Sequence, residues 1–459
     1  MRRRALLVGG LGAAGALVVG WLALPPRDRL GGVDSLPVHD GEVGLNGWIK
    51  IAGDGGVVLA MNRSEMGQGT HTALPMLVAE ELDVPLARVR LVTAPNDRLY
   101  GNVSAMVASV PWFHPSDIEP GHETLEARGG RWVVAKVARE LGINLTGGSS
   151  SVVDAWDVLR LAAATARAQL VGAASLTWKQ PASELTVADG VVRHASGLSA
   201  HYGQLARVAA STPSGEVRLK LPSQWKLIGT PAPRVDVVAK ANGSAVFGID
   251  ARPAGLVHAA IRHCPMIGGG IGAVDVAPAL ALPGVERLVR LGPYGGSTDA
   301  LAVVARTGWH ARQGAAAIGV DWQQRPSGGL DSKEIVETLV RTADAAARRG
   351  GGFVFHSRGD IDAAEARAAS RVEQSYSAPY LAHAAMEPIN CTARVADGRV
   401  EVWVSTQVPG LARAIAAEVA GVEPDAVTVH VPYLGGAFGR RLEVDVVGQA
   451  VRIALECGG

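Results

Sequence analysis

The chain has 459 residues, of which 48% are hydrophobic, and this length supports two or three domains with sizeable cores. A formal net charge of +1 and an aromatic content of 5% exclude the basic field on which nucleic-acid binding depends. Cys264, Cys391 and Cys457 are far apart and form no C-x-x-C pair, so the chain offers no iron–sulfur or c-type haem framework. If the chain takes part in redox chemistry, a partner has to carry the electrons away.

The first 24 residues predict a targeting segment. Arg2-Arg3-Arg4 precedes an apolar, glycine-containing run that ends at Leu24, and this pattern resembles a twin-arginine export signal. The run is also long enough to span a bilayer, so retention as an anchor is the alternative. Gly10 to Gly15 matches the fingerprint G-x-G-x-x-G, but no strand-helix-strand unit surrounds it, which favours the signal. We predict a location in the periplasm or at the periplasmic face of the inner membrane.

A hairpin is predicted from Trp48 to Asn62, followed by a tip that contains Gly67-Gln68-Gly69 and then by a helix. Because Pro75 has no N–H, the helix is expected to begin near Thr72 or later. On its own, Gly-Gln-Gly predicts only a turn.

A second turn of small residues, Gly147-Gly148-Ser149, precedes an alanine-rich helical pattern from about Val152 to Ala174. Ser151 and Asp154 have the spacing of a capping box, and a capped helix alone would explain the serines. Residues 225–325 predict short strands with one or two helices, and residues 326–370 predict a linker with one helix.

The last part of the chain predicts a strand at Val400–Ser405, a helix from Pro409 to Gly421, a strand at Ala426–Val431 and a helix from about Glu443. Between the last two lies the glycine-rich tip Gly435–Arg441. Glycines permit positive φ, the amides of such a tip form an anion nest, and paired arginines clamp a phosphate or carboxylate. A tight turn with solvated arginines is the plainer alternative.

The ordered motifs resemble the xanthine dehydrogenase/aldehyde oxidase family of molybdenum hydroxylases. Ser405-Thr406-Gln407 with Gly435–Gly439 looks like the family's first cofactor-binding segment, and Met386–Ala393 is also similar to it. Glu65–Gly69 with Ala79–Leu82 resembles the second segment. The order of the segments is that of the separate large subunits similar to isoquinoline and nicotinate oxidoreductases.

The resemblance implies an α+β fold with molybdopterin-binding regions at 45–215 and 371–459 and an α/β hammerhead domain at 225–325. It implies molybdopterin, in the cytosine dinucleotide form, with molybdenum as the cofactor. The chain itself supplies no metal ligand, and no catalytic residue is assigned. The residues to which the resemblance gives a cofactor-binding role are Gly67, Gln68, Gly69, Gly147, Gly148, Ser149, Gln407, Gly435, Gly436, Phe438, Gly439 and Arg440.

The implied chemistry is hydroxylation of an N-heteroaromatic ring or an aldehyde, with water as the oxygen source. The implied partners are a small iron–sulfur subunit and a cytochrome c that accepts electrons. The family's base is a glutamate far downstream of the Gly-Phe-Gly turn, and neither Glu65 nor Glu387 matches that motif. We therefore expect a fragment that is inactive alone. A non-catalytic exported binding or scaffold protein of the same fold is the alternative.

Overall fold

The structure is a computed structural model that describes residues 28–39, 41–109, 114–119, 121–354 and 358–459. The predicted export signal lies outside the described residues. The chain divides into two compact units. The first contains the described residues up to 109 and Thr124–Ala245, and the second contains residues 114–119, 121–123 and Val246–Gly459. Both units mix helices with sheets, so the fold is α+β as predicted.

The first unit contains a four-stranded sheet in the order β1-β2-β3-β4, formed by β1 (Glu42–Gly44), β2 (Ile49–Ala52), β3 (Val57–Met61) and β4 (Val89–Thr93). The pair β2–β3 confirms the predicted hairpin. All of β3 is buried between two neighbouring strands, which explains its continuous apolar sequence. Because β3 and β4 pair in parallel, the chain has to cross over between them, and helix α1 (Thr70–Leu82) lies in that connection.

The other elements of this unit are α2 (Val103–Ala108), α3 (Leu125–Leu141), α4 (Ser151–Trp178), β5 (Leu185–Ala188), β6 (Val191–His194), β7 (Ser199–His201), α5 (Tyr202–Ala209) and α6 (Val237–Ala241). Helix α4 packs against α1. Its alanines are buried in the core that also holds Trp48 and Tyr100. Small side chains let the two helices approach closely, which accounts for the alanine-rich sequence of α4.

Two local predictions in this unit are wrong. Helix α1 begins at Thr70, two residues before the predicted limit, because the Glu65 carboxylate accepts the amide of His71 in its first turn. Pro75 therefore lies inside the helix and leaves one carbonyl of the preceding turn without its usual donor. The capping box at α4 is absent, since Asp154 pairs with arginines instead of reaching back along the helix.

The second unit contains β8 (His258–His263), β9 (Gly270–Asp275), α7 (Ala277–Leu280), β10 (Val285–Leu291), β11 (Ala300–Ala305), α8 (Gly308–Ala317) and β12 (Gly319–Gln323). Its strands form a sheet in the order β10-β11-β8 and a pair β12-β9. After these come α9 (Ser332–Arg349), α10 (Ile361–Arg367), β13 (Thr392–Ala396), β14 (Arg399–Trp403), α11 (Pro409–Ala420), β15 (Val427–His430) and α12 (Asp445–Cys457).

Strands β13, β14 and β15 form a sheet in which β14 and β15 are parallel and joined through α11. This confirms the strand-helix-strand unit predicted from residue 400 onward. Val400, Val402 and Val404 are buried in a core with alanines of α11 and valines of α12. Helix α11 ends at Ala420, and the following Gly421 has the left-handed φ that such a C-terminus favours.

The segment predicted as a linker with one helix contains two helices, so this prediction is wrong. Asp331 caps α9 by accepting the amide of Lys333, and Asp360 caps α10 by accepting the amide of Ala363. Neither helix buries a residue. Within the part of the chain that the structure describes, no helix has the length and apolar character that crossing a bilayer requires.

Candidate functional site

The tip Arg63–Thr70 of the first unit is organised by the carboxylate of Glu65, which is 1% exposed. Its Oε1 accepts the amides of Gly67 at 2.9 Å and Gly69 at 3.0 Å. Its Oε2 accepts the amide of His71 at 2.9 Å. Burial alone would raise the pKa of Glu65, but these three backbone donors hold that pKa below its ordinary value. Glu65 is therefore an ionised residue that holds the tip together.

Arg234 closes the same tip, although sequence reasoning assigned it no role. Its guanidinium donates to the carbonyl of Gly67 at 2.8 Å and to Glu65 at 3.1 Å. It also makes two bonds to Asp236, at 2.9 and 2.7 Å. This pairing raises the pKa of Arg234 and lowers that of Asp236. The R-x-D spacing was the only local signal for this ion pair, and nothing in it pointed to Glu65.

Gln68 lies on the exposed surface of the tip, where its side chain folds back on its own loop. Its Nε2 donates to the carbonyl of Ser64 at 2.9 Å, and its Oε1 accepts the amide of Met66 at 2.8 Å. Each carboxamide atom keeps capacity for a further bond. Gly67 and Gly69 have φ values of 107° and 88°, which exclude ordinary side chains. Their amides already serve Glu65, so they contribute room and backbone shape rather than amides directed outward.

The second predicted turn lies beside this tip. The amide of Ser64 donates to Thr146 Oγ1 at 2.9 Å, and Arg63 donates to Asn144 at 3.1 Å. Gly148 and Ser149 have φ values of 61° and 53° and are exposed. These two contacts place the Gly147–Ser149 turn near the start of the Arg63–Thr70 tip, and the assignment of both segments to the cofactor stays a prediction.

Behind the two turns, two arginines share one buried carboxylate. Arg63 donates to Asp154 at 2.6 Å, and Arg29 donates to the same carboxylate at 2.9 Å. Burial lowers the pKa of Arg63 to about 10, despite the opposing charge of Asp154. Burial would raise the pKa of Asp154, but the two arginines lower it below its ordinary value. This network fixes the start of the tip to helix α4.

In the second unit a buried pair, Glu387 and Arg441, joins the three segments that carry the resemblance. Arg441 Nη2 donates to Glu387 Oε2 at 2.8 Å and to the Glu387 carbonyl at 2.9 Å. The same guanidinium donates to the carbonyl of Gly436 at 2.8 Å and to that of Ser405 at 3.2 Å. The Glu387 carboxylate also accepts the amides of Gly435 at 2.9 Å and Ile249 at 3.0 Å. Arg441 therefore pairs with a carboxylate of the chain itself and uses its other nitrogens to hold backbone carbonyls.

The Ser405-Thr406-Gln407 segment is held from the same side. The amide of Gln407 donates to the carbonyl of Arg441 at 2.9 Å, and Thr406 Oγ1 donates to that carbonyl at 3.2 Å. Ser405 Oγ donates to the carbonyl of Tyr433 at 2.9 Å. Gln407 is 2% exposed, so its position depends on this packing.

The glycine-rich tip combines close packing with an exposed aromatic ring. A Cβ on Gly435 would lie 2.3 Å from the Cβ of Glu387, so only glycine fits there. Gly436 and Gly439 have φ values of 94° and 89°. Phe438 has φ of 51°, which is rare for a large side chain, and the residue is 70% exposed. Such backbone strain is common at functional sites.

Arg440 is engaged inside the chain. Its Nη1 and Nη2 donate to Asp445 at 3.0 and 2.8 Å, and Glu443 lies 3.1 Å from Nη1. Burial by itself would lower the pKa of Arg440, but the bonds to Asp445 raise that pKa above its ordinary value. The anion that Arg440 meets in this structure is the first acidic residue of α12.

The Gly147–Ser149 turn of the first unit and the glycine-rich tip of the second unit each keep backbone donors that suit oxygen atoms of a ligand. Within the described residues, the amides of Gly148, Ser149, Phe438 and Gly439 donate to no protein acceptor. Backbone amides at exposed left-handed turns are donors that phosphate and carbonyl oxygens accept. Taken separately in each unit, these donors therefore suit the oxygen atoms of a phosphorylated pterin cofactor.

Comparison with known proteins identifies the two regions. The family model of a molybdopterin cofactor-binding domain matches residues 32–110, and a second model of that description matches residues 347–456. The beta chain of the isoquinoline 1-oxidoreductase of Brevundimonas diminuta is 32% identical over 91% of this chain and 53% of its own length. A nicotinate dehydrogenase subunit of Pseudomonas putida is 27% identical over 97% of this chain and 34% of its own length.

These matches confirm the predicted resemblance to the molybdopterin-binding subunits of the xanthine dehydrogenase family. A membrane-bound aldehyde dehydrogenase (pyrroloquinoline-quinone) of Gluconacetobacter polyoxogenes is also similar, with 26% identity over all of this chain and 54% of that protein. The chain spans about half the length of the Brevundimonas and Gluconacetobacter relatives. Among solved structures, quinoline 2-oxidoreductase from Pseudomonas putida 86 aligns with a TM-score of 0.38 and 21% identity over 51% of this chain and 34% of that one.

Proposed function

We propose that this chain binds the molybdenum cofactor of an oxidoreductase that hydroxylates N-heteroaromatic compounds or aldehydes with oxygen from water. The observation that carries the proposal is the pair of exposed tips. Each has left-handed glycines and a buried carboxylate, Glu65 or Glu387, whose ion pair fixes its shape. Among the described residues, the Gly147–Ser149 turn beside the first tip and the glycine-rich second tip both present amides without a protein acceptor. The names of the similar isoquinoline and nicotinate enzymes support the substrate class.

When bound, the cofactor supplies a two-electron acceptor and an oxygen atom derived from water. The chain's own residues hold and orient it. Gly148 and Ser149 would donate amides in the turn beside the first tip, while Phe438 and Gly439 would provide a ring and an amide at the second tip. Gln68 and Gln407 would direct their carboxamides to it.

We assign no proton-accepting role to Glu65 or Glu387. A general base has to reach the proton that it removes, with an oxygen that is not already occupied. Glu65 accepts three backbone amides and Arg234, and Glu387 accepts Arg441 and two backbone amides. Both are buried, and both shape the tips. The expectation that this chain is inactive alone remains a prediction.

We further propose a cytosine dinucleotide form of the pterin, an iron–sulfur subunit as electron acceptor and a cytochrome c beyond it. The scattered cysteines support a separate electron carrier, because they offer no cluster framework of their own. The arginine run at residues 2–4 supports export of the folded protein to the periplasm, with attachment to the membrane through residues 1–24 as the variant of this proposal.

The deciding experiment measures molybdenum and bound pterin in the full chain, produced together with a cofactor maturation system. Gly148→Leu should lose most of both, because the new side chain would cover the donor amides of its turn. Gly197→Leu is the matched control: both glycines have left-handed φ and no atom within 4 Å of an added Cβ, but Gly197 lies in the turn between β6 and β7.

Equal cofactor loss in the two variants would assign the effect to backbone strain and contradict the site. A folded wild-type chain that takes up neither molybdenum nor pterin would favour the alternative of a non-catalytic binding protein.

A further inference from the structure

A cavity of about 180 Å³ lies in the first unit, and none of the residues of the two tips lines it. That volume would hold several water molecules. The residues that line it come from the N-terminal part of the unit, the turn before α2 and the last turn of α3, and include Asp28, Arg29, Ser35, Asp97, Arg98 and Arg139.

Most of the charged groups around this cavity are satisfied within the protein. Arg29 donates to Asp154 and to the carbonyl of Gly101 at 2.7 Å. Asp28 accepts the amide of Leu30 at 2.9 Å, and Asp97 accepts the amide of Leu99 at 2.8 Å. These groups shape the wall of the cavity.

Arg139 differs from them. Within the described residues, its buried Nε has no hydrogen-bond partner and its guanidinium forms no ion pair. Burial lowers the pKa of Arg139, and the nearby charge of Arg29 lowers it further, whereas Asp154 and Asp28 raise it. A buried donor beside a second guanidinium calls for an acceptor, and a native protein rarely leaves such a group unsatisfied.

Two further donors stand at the wall of the cavity. Arg98 has a side chain that is 61% exposed, and its contact with Glu140 is long, at 3.7 Å. Ser35 Oγ accepts the amide of Gly32 at 3.2 Å, so its own proton is available to another acceptor.

We propose that the cavity binds a small oxyanion, with Arg139 as the central donor and Arg98 and Ser35 as further donors. The planar fork of a guanidinium matches the oxygens of a phosphate or a carboxylate. Asp28 and Asp97 limit the negative charge that the cavity accepts, which favours a single small anion over a polyphosphate. This site is separate from the proposed cofactor site, and its occupation does not depend on the cofactor.

The test titrates the purified full chain with inorganic phosphate and, separately, with acetate, at an ionic strength kept constant with sodium chloride. Binding to the native state raises the unfolding temperature in a saturable way. Direct binding is measured in parallel by calorimetry. The phosphate and acetate arms show which oxyanion class the cavity prefers.

Arg139→Gln removes the central charge, and Arg128→Gln is its matched control. Arg128 lies on the same helix, is exposed, has no side-chain hydrogen bond or ion pair among the described residues and does not line the cavity. Wild type and Arg128→Gln should bind the anion equally. Arg139→Gln should need about tenfold more anion, or fail to bind it, as expected for the loss of a charged hydrogen bond.

Without added anion, Arg139→Gln should unfold at a temperature no lower than wild type, because it removes an uncompensated charge. If that variant does not fold, Arg98→Gln, which changes an exposed side chain, should still weaken binding. Identical saturation curves for wild type and both cavity variants, or a response that sodium chloride reproduces, would overturn the proposal.

Discussion

Replacing Glu387 by glutamine should destabilise the second unit by about 3–5 kcal/mol, the usual cost of removing one member of a buried ion pair. Arg441, which is 3% exposed, would keep its charge without the carboxylate oxygen now at 2.8 Å. Glutamine has the same size but places an NH₂ group where one oxygen accepted hydrogen bonds. That NH₂ would face either the amide of Gly435 or that of Ile249, which are themselves donors.

The matched control is Glu401→Gln, which breaks a surface pair with Arg394. The side chains of that pair are 29% and 49% exposed, so its loss should cost no more than about 1 kcal/mol. For a unit of this size, the Glu387 variant should unfold about 6–20 °C lower than wild type, from a shift of about 2–4 °C per kcal/mol.

Urea and thermal unfolding measure these differences, and hydrogen exchange localises them to the two segments that contain Glu387 and Arg441. The reasoning fails if both variants lose the same stability, or if Glu387→Gln costs less than about 1 kcal/mol.

Four further predictions concern the two tips, the acid stability and the N-terminus. Gly435→Ala should destabilise the second unit by about 1–3 kcal/mol in urea unfolding, because its Cβ would lie 2.3 Å from that of Glu387. Asp236 has a folded-state pKa that Arg234 lowers, so its contribution is present above the unfolded pKa of about 3.9 and is lost as pH falls below it. Asp236→Asn should therefore flatten the fall in unfolding free energy between about pH 5 and pH 2. Gln407→Ala in the cofactor-loaded enzyme should keep the fold and lose about ten- to a thousandfold in turnover. Replacing Arg2, Arg3 and Arg4 by lysine should leave the protein in the cytoplasm, as an assay of cell fractions would show.

Each of these has a contrary outcome. Gly398→Ala, at a left-handed turn with no atom near its added Cβ, should cost less than Gly435→Ala, and an equal cost would contradict the close contact. An acid limb of unchanged slope in Asp236→Asn would show that this carboxylate does not control acid unfolding. Unchanged turnover of Gln407→Ala would remove its assignment to the cofactor. Periplasmic recovery of the lysine variant would refute twin-arginine dependence.

Individual helices, strands and turns of this chain could be predicted from short stretches of its sequence. The hairpin before Asn62, the helix from Pro409 to Gly421 and the strand after it could be predicted because periodicity and turn residues act over a few positions. The same local order carried the family resemblance, which the comparisons confirm. The start of α1 was misplaced because Glu65, five residues before its first residue, supplies the acceptor for its first turn.

Only the tertiary structure decided which charges meet. Arg441 reaches Glu387 across 54 positions, and Arg234 reaches Glu65 across 169. No pattern within a short window encodes such pairs, because each carboxylate could equally pair with a nearby cation or with water until the chain folds. Once buried, however, a carboxylate has to find donors, and the glycine amides of each tip lie within its reach. The sequence by itself therefore determined which segments are special, whereas folding determined that their arginines and glutamates hold the tips together.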